Sequence, residues 1–255
     1  SYIIGKPGYY KFKCTVKGNS TESVGTPSGA SVLWETTNTL AAVTGGEVIK
    51  AVKLSGEYIM ITLPDKFTPG NAVIAVKDNM GIIIWSWHIW VTNNDPSKSA
   101  VELNDQIMMN VNLGAEHNSN GSTNGDDIYC SYGMYYQWGR KDPFVGPLAY
   151  NFPSNDDDNI YNSDGYRIPL EYVDSTTEQG AVEWATAHPM ALIKGYKDNG
   201  YDWLYDKHNT ELWSASQKSK YDPCPAGWRM PDSSLFANLT IAALDDDLAW
   251  SEAQK

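Results

Sequence analysis

The sequence predicts a protein in two parts: an all-β sandwich over residues 1–94 and an α+β part over residues 100–255, joined by a linker at 95–99. Three observations carry this prediction. Short β-prone runs alternate with turn signals up to residue 92. The linker region is rich in Asn, Asp, Pro and Ser, as domain linkers are. Beyond it, long polar loops and helical patterns replace the regularly spaced strands.

Seven short runs in the first part are β-prone, at residues 1–4, 9–17, 31–36, 48–54, 58–63, 71–77 and 82–92. Gly and Pro occupy the turns between them, because Pro fixes φ and Gly supplies positive φ. The two runs on either side of residues 78–81 predict a β-hairpin. Seven strands with regular turns are typical of an immunoglobulin-like sandwich.

The last of these strands has two different faces. Side chains alternate along a strand, so Ser86, His88 and Trp90 share the face opposite Trp85 and Trp87. The large apolar Trp90 interrupts an otherwise polar face. We therefore expect this face to contact the second part, with His88 in a structural role.

Helical patterns appear only in the second part. Residues 176–188 carry a helical stretch that ends at Pro189. Residues 233–245 place apolar side chains on one face, with Asp232 as the N-cap.

Composition narrows the range of partners. The chain has 255 residues, and 42% of them are hydrophobic, so it can bury a core. Its net charge is -12. An acidic chain repels phosphate backbones and anionic bilayers, which argues against nucleic acid and against membrane binding by charge. No apolar run reaches the ~18–20 residues that span a bilayer. The residues that follow Ser1 do not have the pattern of a signal peptide, so we interpret the chain as a mature or trimmed exported product.

Residues 133–144 contain the candidate ligand-binding residues Trp138, Arg140 and Lys141. The indole offers a stacking surface, and the two cations would attract polar or charged groups. The alternative is structural: Tyr135, Tyr136 and Trp138 would bury the end of a strand or helix.

An acidic loop supplies the candidate metal ligands Asp156, Asp157, Asp158 and Asp164. Carboxylate oxygens are hard ligands, so calcium is the cofactor they would hold, although the spacing is not that of an EF-hand. The alternative is a solvated acidic loop without a metal.

No catalytic motif is legible. The patterns of serine hydrolases, zinc proteases and phosphate-binding loops are missing from the sequence. Cys224 has no neighbouring pattern that would make it a nucleophile. The prediction is a non-enzymatic protein, and Asp/Glu pairs of a glycan-processing enzyme stay open as the alternative.

Several blocks resemble known surface proteins. Residues 1–12 (SYIIGKPGYYKF), 70–78 (GNAVIAVKD) and 84–90 (IWSWHIW) resemble a module of Bacteroidales surface and fimbrial proteins. Residues 112–115 (NLGA), 135–144 (YYQWGRKDPF), 202–204 (DWL), 212–213 (LW) and 221–231 (YDPCPAGWRMP) are similar to the Fibrobacter-type major paralogous (FISUMP) domain, a C-type lectin-like fold. Together these blocks extend over most of the chain.

The resemblance implies an extracellular, outer-membrane-associated adhesin or fimbrial-tip-like protein. Its ligand would be a glycan or a host or bacterial surface protein, and other fimbrial subunits would be partners. It also implies that Ser175, in Asp174-Ser175-Thr176, is an acceptor for an O-linked glycan. In the family, the cysteine matching Cys224 often pairs with a later one, and whether it pairs here with Cys130 is left open. The alternative within this class is a structural subunit of a surface filament.

Overall fold

The computed structural model describes residues 1–37, 44–119, 121–145, 166, 168 and 171–236. This described part is mostly β-structure, with several small sheets and very little helix. The strands of the first half are β1 (Tyr2–Ile4), β2 (Tyr9–Lys13), β3 (Gly29–Thr37), β4 (Ala51–Ser55), β5 (Tyr58–Thr62), β6 (Gly70–Lys77) and β7 (Ile83–Val91). The second half contains β8 (Val101–Leu103), β9 (Gln106–Met108), α1 (Gly125–Cys130), β10 (Glu171–Asp174), α2 (Val182–Ala187) and β11 (Ala191–Lys194), with 3₁₀ helices at Lys197–Asn199 and Ser233–Phe236.

The seven predicted strands of the first half are confirmed, and they form two sheets. One has the order β1-β7-β6-β3 and the other the order β2-β5-β4. Strand β1 runs parallel to β7, and the other pairings are antiparallel. Both sheets contribute to one apolar core that includes Ile61, Ile74 and Ile89. Burying each such side chain stabilises the fold by about 1.5–3 kcal/mol.

The predicted hairpin is the β6–β7 pair. The two strands pair along their whole length, from Gly70 opposite Val91 to Lys77 opposite Ile83. The carboxylate of Asp78 accepts hydrogen bonds from two turn N–H groups, those of Met80 and Ile82, each across 2.9 Å. This side-chain cap fixes the turn that the sequence indicated.

Strand β4 begins three residues later than the alternation predicts, and a buried carboxylate explains the difference. Glu35 accepts the N–H groups of Gly46 across 2.6 Å and Ile49 across 2.9 Å. Ile49 is therefore buried like a strand residue, but its N–H is bound to a side chain. Burial raises the pKa of Glu35, with these N–H groups acting in the opposite direction.

The helical predictions are confirmed over shorter lengths. Within residues 176–188, helix α2 covers Val182–Ala187. Before it, the N–H of Gly180 donates a hydrogen bond to the carbonyl of Thr176 and closes a turn. Within residues 233–245, Ser233–Phe236 forms a 3₁₀ helix, and residues 237–245 lie outside the described residues. The Asp232 carboxylate accepts the N–H of Ser234, as an N-cap does.

The second half packs on the outer face of the four-stranded sheet. The indole N–H of Trp90 donates to the carbonyl of Ala115 across 3.0 Å. Trp34 and Val73 share an apolar cluster with Phe144 and Val145. This confirms the expected contact face of β7, while the division into two domains at residues 95–99 stays a prediction. Within the described ranges, no helix is long and apolar enough to cross a membrane.

Candidate ligand-binding cleft

The predicted ligand-binding residues are separated by the fold. The Trp138 side chain is at the surface, with 42% of the residue exposed. Arg140 and Lys141 are buried, with 3% and 8% exposed. The structure therefore brings an aromatic surface to the solvent at Trp138 and buries the two cations in the interior.

The Arg140 guanidinium holds the backbone around helix α2. It donates to the carbonyl of Ala191 across 2.6 Å and to that of His188 across 3.1 Å. Its charged centre also lies 5.1 Å from the ring centroid of Phe144 and 5.7 Å from that of Trp203. Burial lowers the pKa of Arg140 to about 10, so the group stays cationic at neutral pH.

Lys141 belongs to a buried ion pair. Its Nζ atom lies 2.7 Å from Asp142 Oδ2, donates to Ser86 Oγ, and lies 4.5 Å from the ring centroid of Trp85. Burial lowers the pKa of Lys141, and the Asp142 carboxylate opposes that shift. The ammonium therefore joins the second half of the chain to strand β7.

The exposed side of Trp138 borders a cavity of about 510 Å³, which we call the aromatic cleft. Its lining residues come from two segments of the second half: Gln137, Trp138, Asn199, Gly200, Tyr201, Asp202, Trp203 and His208. The indole of Trp203 donates its N–H to the carbonyl of Trp138. Trp213 packs against the Trp138 ring with centroids 5.1 Å apart. The Trp138 surface is thus supported from below and from the side.

The Asn199 amide shapes the loop on the other side of the cleft. Its Oδ1 accepts the N–H of Tyr196 across 3.1 Å. Its Nδ2 donates to the carbonyls of Asp202 across 2.8 Å and Leu204 across 3.0 Å. One side chain therefore closes the turn and holds both ends of it, which is a common use of Asn in tight turns.

Tyr201 is presented at the cleft in a constrained backbone conformation. Its φ angle is 63°, a region that residues other than glycine rarely adopt, at a cost of order 1–3 kcal/mol. The residue is 71% exposed. The loop is held in place by close packing on Gly195, where a Cβ would lie 2.2 Å from the carbonyl oxygen of Asp202. The fold thus fixes a strained loop that shows an aromatic ring to solvent.

His208 and Asp202 supply the polar side of the aromatic cleft. His208 Nδ1 lies 2.7 Å from Asp202 Oδ2, and the imidazole lies 5.6 Å from the Trp138 ring centroid. Pairing at Nδ1 leaves Nε2 as the nitrogen available to a ligand. Aromatic surfaces beside a few fixed polar groups are the usual composition of a small-molecule binding site.

The remaining candidate residues lie elsewhere. Ser175 is buried, and its hydroxyl donates to the carbonyl of Trp203 across 2.8 Å. Asp156, Asp157, Asp158 and Asp164 lie outside the described residues. Among the residues that the structure does describe, no group of three His, Cys, Asp or Glu side chains could hold a metal ion. Cys224 carries a free thiol, and burial raises its pKa to about 12.

The side chains of Ser1, His88 and Asn71 lie at the distances of a catalytic triad, but their hydrogen bonds hold the fold together. Ser1 Oγ lies 2.8 Å from His88 Nδ1, and His88 Nε2 lies 2.9 Å from Asn71 Oδ1. Asn71 donates its amide N–H to the carbonyl of Gly114, so its oxygen faces His88 and accepts the Nε2 proton. The Ser1 hydroxyl donates to the carbonyl of Pro223. Burial lowers the pKa of His88 well below its ordinary value, so the ring is neutral. Its Nδ1 also lies 3.1 Å from the hydroxyl of Tyr136, which joins it to the second half of the chain.

Sequence reasoning missed Tyr201, Asp202 and His208 as parts of one site. A signal was present, because Asn199-Gly200 is a strong turn dipeptide. A turn followed directly by an aromatic residue indicates that a ring is carried on a loop. The pairing with Trp138, more than 60 positions earlier in the chain, is set by tertiary packing.

A scan of the chain against protein-family models finds no match, and neither do searches of curated proteins and of solved structures. The similarity to the FISUMP domain therefore stays a prediction from the sequence blocks.

Proposed function

We propose that this protein is a non-enzymatic cell-surface adhesin or fimbrial-tip-like protein that binds a glycan in the aromatic cleft. In this proposal, residues 1–94 are an immunoglobulin-like sandwich and residues 100–255 a C-type lectin-like domain of FISUMP type. The protein acts outside the cell, in association with the outer membrane.

One observation carries the proposal: the exposed rings of Trp138 and Tyr201 border one cavity that also contains the His208–Asp202 pair. A sugar ring has an apolar C–H face and an edge of hydroxyl groups. Flat aromatic surfaces match the first, and the imidazole and carboxylate match the second. Because the Trp138 ring is packed against Trp213 and the backbone of Tyr201 is constrained, less conformational entropy is lost when a ligand binds.

The composition of the cleft favours binding over hydrolysis. Asp202 is the one carboxylate among its described lining residues, and it is engaged by His208. Glycoside hydrolysis ordinarily uses two carboxyl groups about 5–10 Å apart on either side of the scissile bond. A glycan-processing enzyme is therefore the weaker alternative.

The pairing of strand β1 bears on the filament alternative. An unpaired strand at residues 1–4 would favour a structural subunit that exchanges strands with its neighbours. Instead, Tyr2, Ile3 and Ile4 pair with residues 89–91 of β7 within the same chain. We therefore place the adhesin ahead of the filament subunit.

The test is a glycan-array screen of the full chain followed by titration of the best ligand, with hydrolysis products monitored in parallel. We expect binding without release of sugar. Trp138→Ala should weaken binding about tenfold or more, a loss of about 1.4 kcal/mol or more. The matched control is Tyr172→Ala, which removes an aromatic residue that is 60% exposed and does not line the cleft.

Two results would count against the proposal. One is unchanged affinity in Trp138→Ala. The other is sustained sugar release that a single carboxylate substitution abolishes. A parallel titration with a calcium chelator tests the metal prediction at Asp156, Asp157, Asp158 and Asp164.

A further inference from the structure

The three-stranded sheet β2-β5-β4 has an outer face whose side chains are exposed to solvent. Along β2, Tyr10 and Phe12 pack against the core, so Tyr9, Lys11 and Lys13 point outward. Along β5 and β4, the same alternation directs Tyr58, Met60 and Lys53 outward. We call these six outward residues the basic sheet face.

The register places the outward side chains in rows across the sheet. Lys11 and Lys53 both pair with Met60, one from each side, so the three form one row. Neighbouring strands are about 4.8 Å apart, which puts the two lysines about 10 Å apart at their backbones. Tyr9, at the end of β2, is 85% exposed. The face therefore combines separated cations with exposed aromatic rings.

The charge of this face is opposite to that of the whole protein. Residues 1–94 contain eight lysines and six carboxylates, which gives a net charge of +2. Because the whole chain has a net charge of -12, residues 95–255 have a net charge of -14. Lys13 pairs with Glu57 across 3.5 Å. Among the described residues, Lys11 and Lys53 have no carboxylate at ion-pair distance, and the Lys11 ammonium lies 5.0 Å from the Tyr58 ring centroid.

Because salt screens distant charges, the charges on this face determine which ligands it attracts. The Debye length is about 8 Å at physiological salt, so a ligand on this face senses Lys11 and Lys53 far more than the distant acidic half. Ammonium groups attract sulfate and carboxylate groups, and the exposed rings offer stacking surfaces for sugar faces. Tyr58 and Met60 lie among lysines on this face, so insertion into a bilayer would bury little apolar area.

We infer that the basic sheet face, built by Lys11, Lys53, Tyr9 and their neighbours, binds an anionic polysaccharide that carries sulfate or carboxylate groups. This would be a second site, separate from the aromatic cleft and independent of its function. An extended chain suits it, because its cations are spaced both along a strand and across the sheet. Affinity should fall steeply with salt, since bound counterions are released from the polyanion.

The experiment measures binding of dextran sulfate and of uncharged dextran to the full chain. We expect dextran sulfate alone to bind, with affinity falling about tenfold or more between about 50 and 200 mM salt. Lys11→Gln with Lys53→Gln should weaken binding about tenfold or more. The matched control, Lys66→Gln with Lys98→Gln, changes the net charge equally at exposed positions outside the three strands of this sheet and should stay within about twofold.

Trp138→Ala should leave dextran sulfate binding unchanged. The proposal of glycan binding in the aromatic cleft and the proposal of polyanion binding on this face can therefore fail separately. Equal loss in both lysine pairs would overturn the inference, because it would mean a diffuse charge effect. Binding to vesicles of anionic lipid but not to dextran sulfate would assign the face to a membrane. Self-association that depends on Lys11 and Lys53, without polyanion binding, would assign it to a second copy of the chain.

Discussion

The hydroxyl of Ser86 donates a hydrogen bond to Asp142 Oδ1 across 2.6 Å, and the same carboxylate binds the ammonium of Lys141. Strand β7 is thus joined to a segment 56 positions later by a buried charge pair. Each member depends on the other, because an isolated buried charge is far less stable than a paired one.

Asp142→Ala should lower the free energy of unfolding by about 3–5 kcal/mol, since it leaves the Lys141 ammonium buried without its counter-charge. Urea denaturation measures the change. Glu22→Ala is the control, because it removes an exposed carboxylate that contacts Lys17 and Lys220 and should cost about 0–1 kcal/mol. A loss below about 1 kcal/mol for Asp142→Ala would show that the buried pair is not a stabilising junction.

Arg140→Lys should destabilise the protein by about 1–3 kcal/mol, although it keeps the positive charge. A lysine has no planar fork, so it cannot reach the carbonyls of Ala191 and His188 together. Thermal unfolding of the variant tests this against Arg229→Lys, which changes an exposed arginine and should be close to neutral. Equal stability of the two variants would contradict the assigned role of the guanidinium.

Gly195→Ala should move the loop that carries Tyr201, because the added Cβ would lie 2.2 Å from one backbone atom and 2.3 Å from two others. Clashes of this kind cost about 1–3 kcal/mol. We expect lower stability together with weaker glycan binding. Gly29→Ala, where a Cβ meets nothing within 4 Å, should change neither. Unaltered glycan affinity in Gly195→Ala would separate this loop from the binding site.

The free energy of unfolding should fall as the pH drops below about 6.5, the ordinary pKa of histidine. The folded protein keeps His88 neutral because burial lowers its pKa, whereas the unfolded chain takes up the proton. The contribution of neutral His88 to stability is therefore complete above pH 6.5 and is lost towards the lower folded pKa, at up to about 1.4 kcal/mol per pH unit. Urea denaturation at several pH values gives this slope.

His88→Gln should flatten that slope. The variant lacks the buried imidazole that the unfolded chain would protonate. Identical slopes in the two proteins would rule out His88 as the source of acid sensitivity.

The strands of the first half could be predicted because their pattern is local. Ile59 and Ile61 are buried while Met60 between them is exposed, and this alternation is visible in five consecutive residues. Turn residues such as Asp78 mark where each strand ends. The departure at β4 was not visible, because the carboxylate that binds the N–H of Ile49 comes from Glu35, 14 positions earlier.

The aromatic cleft could be predicted only in part. Trp138 was chosen for its ring, but the burial of Arg140 depends on carbonyl groups 45–51 positions later that close around it. The exposure of Tyr201 depends on how closely its loop approaches Gly195. Such relationships arise from packing between distant segments, and neighbouring residue types do not encode them.

The contact between the first strands and the last described loops has a consequence for synthesis on the ribosome. Asn19 donates to the carbonyl of Lys218 across 199 positions, and the outer face of the first sheet exposes Trp34 until Phe144 covers it. The nascent first half therefore leaves the ribosome with an uncovered aromatic surface. A chain that pauses or ends before residue 144 would release an intermediate prone to aggregation.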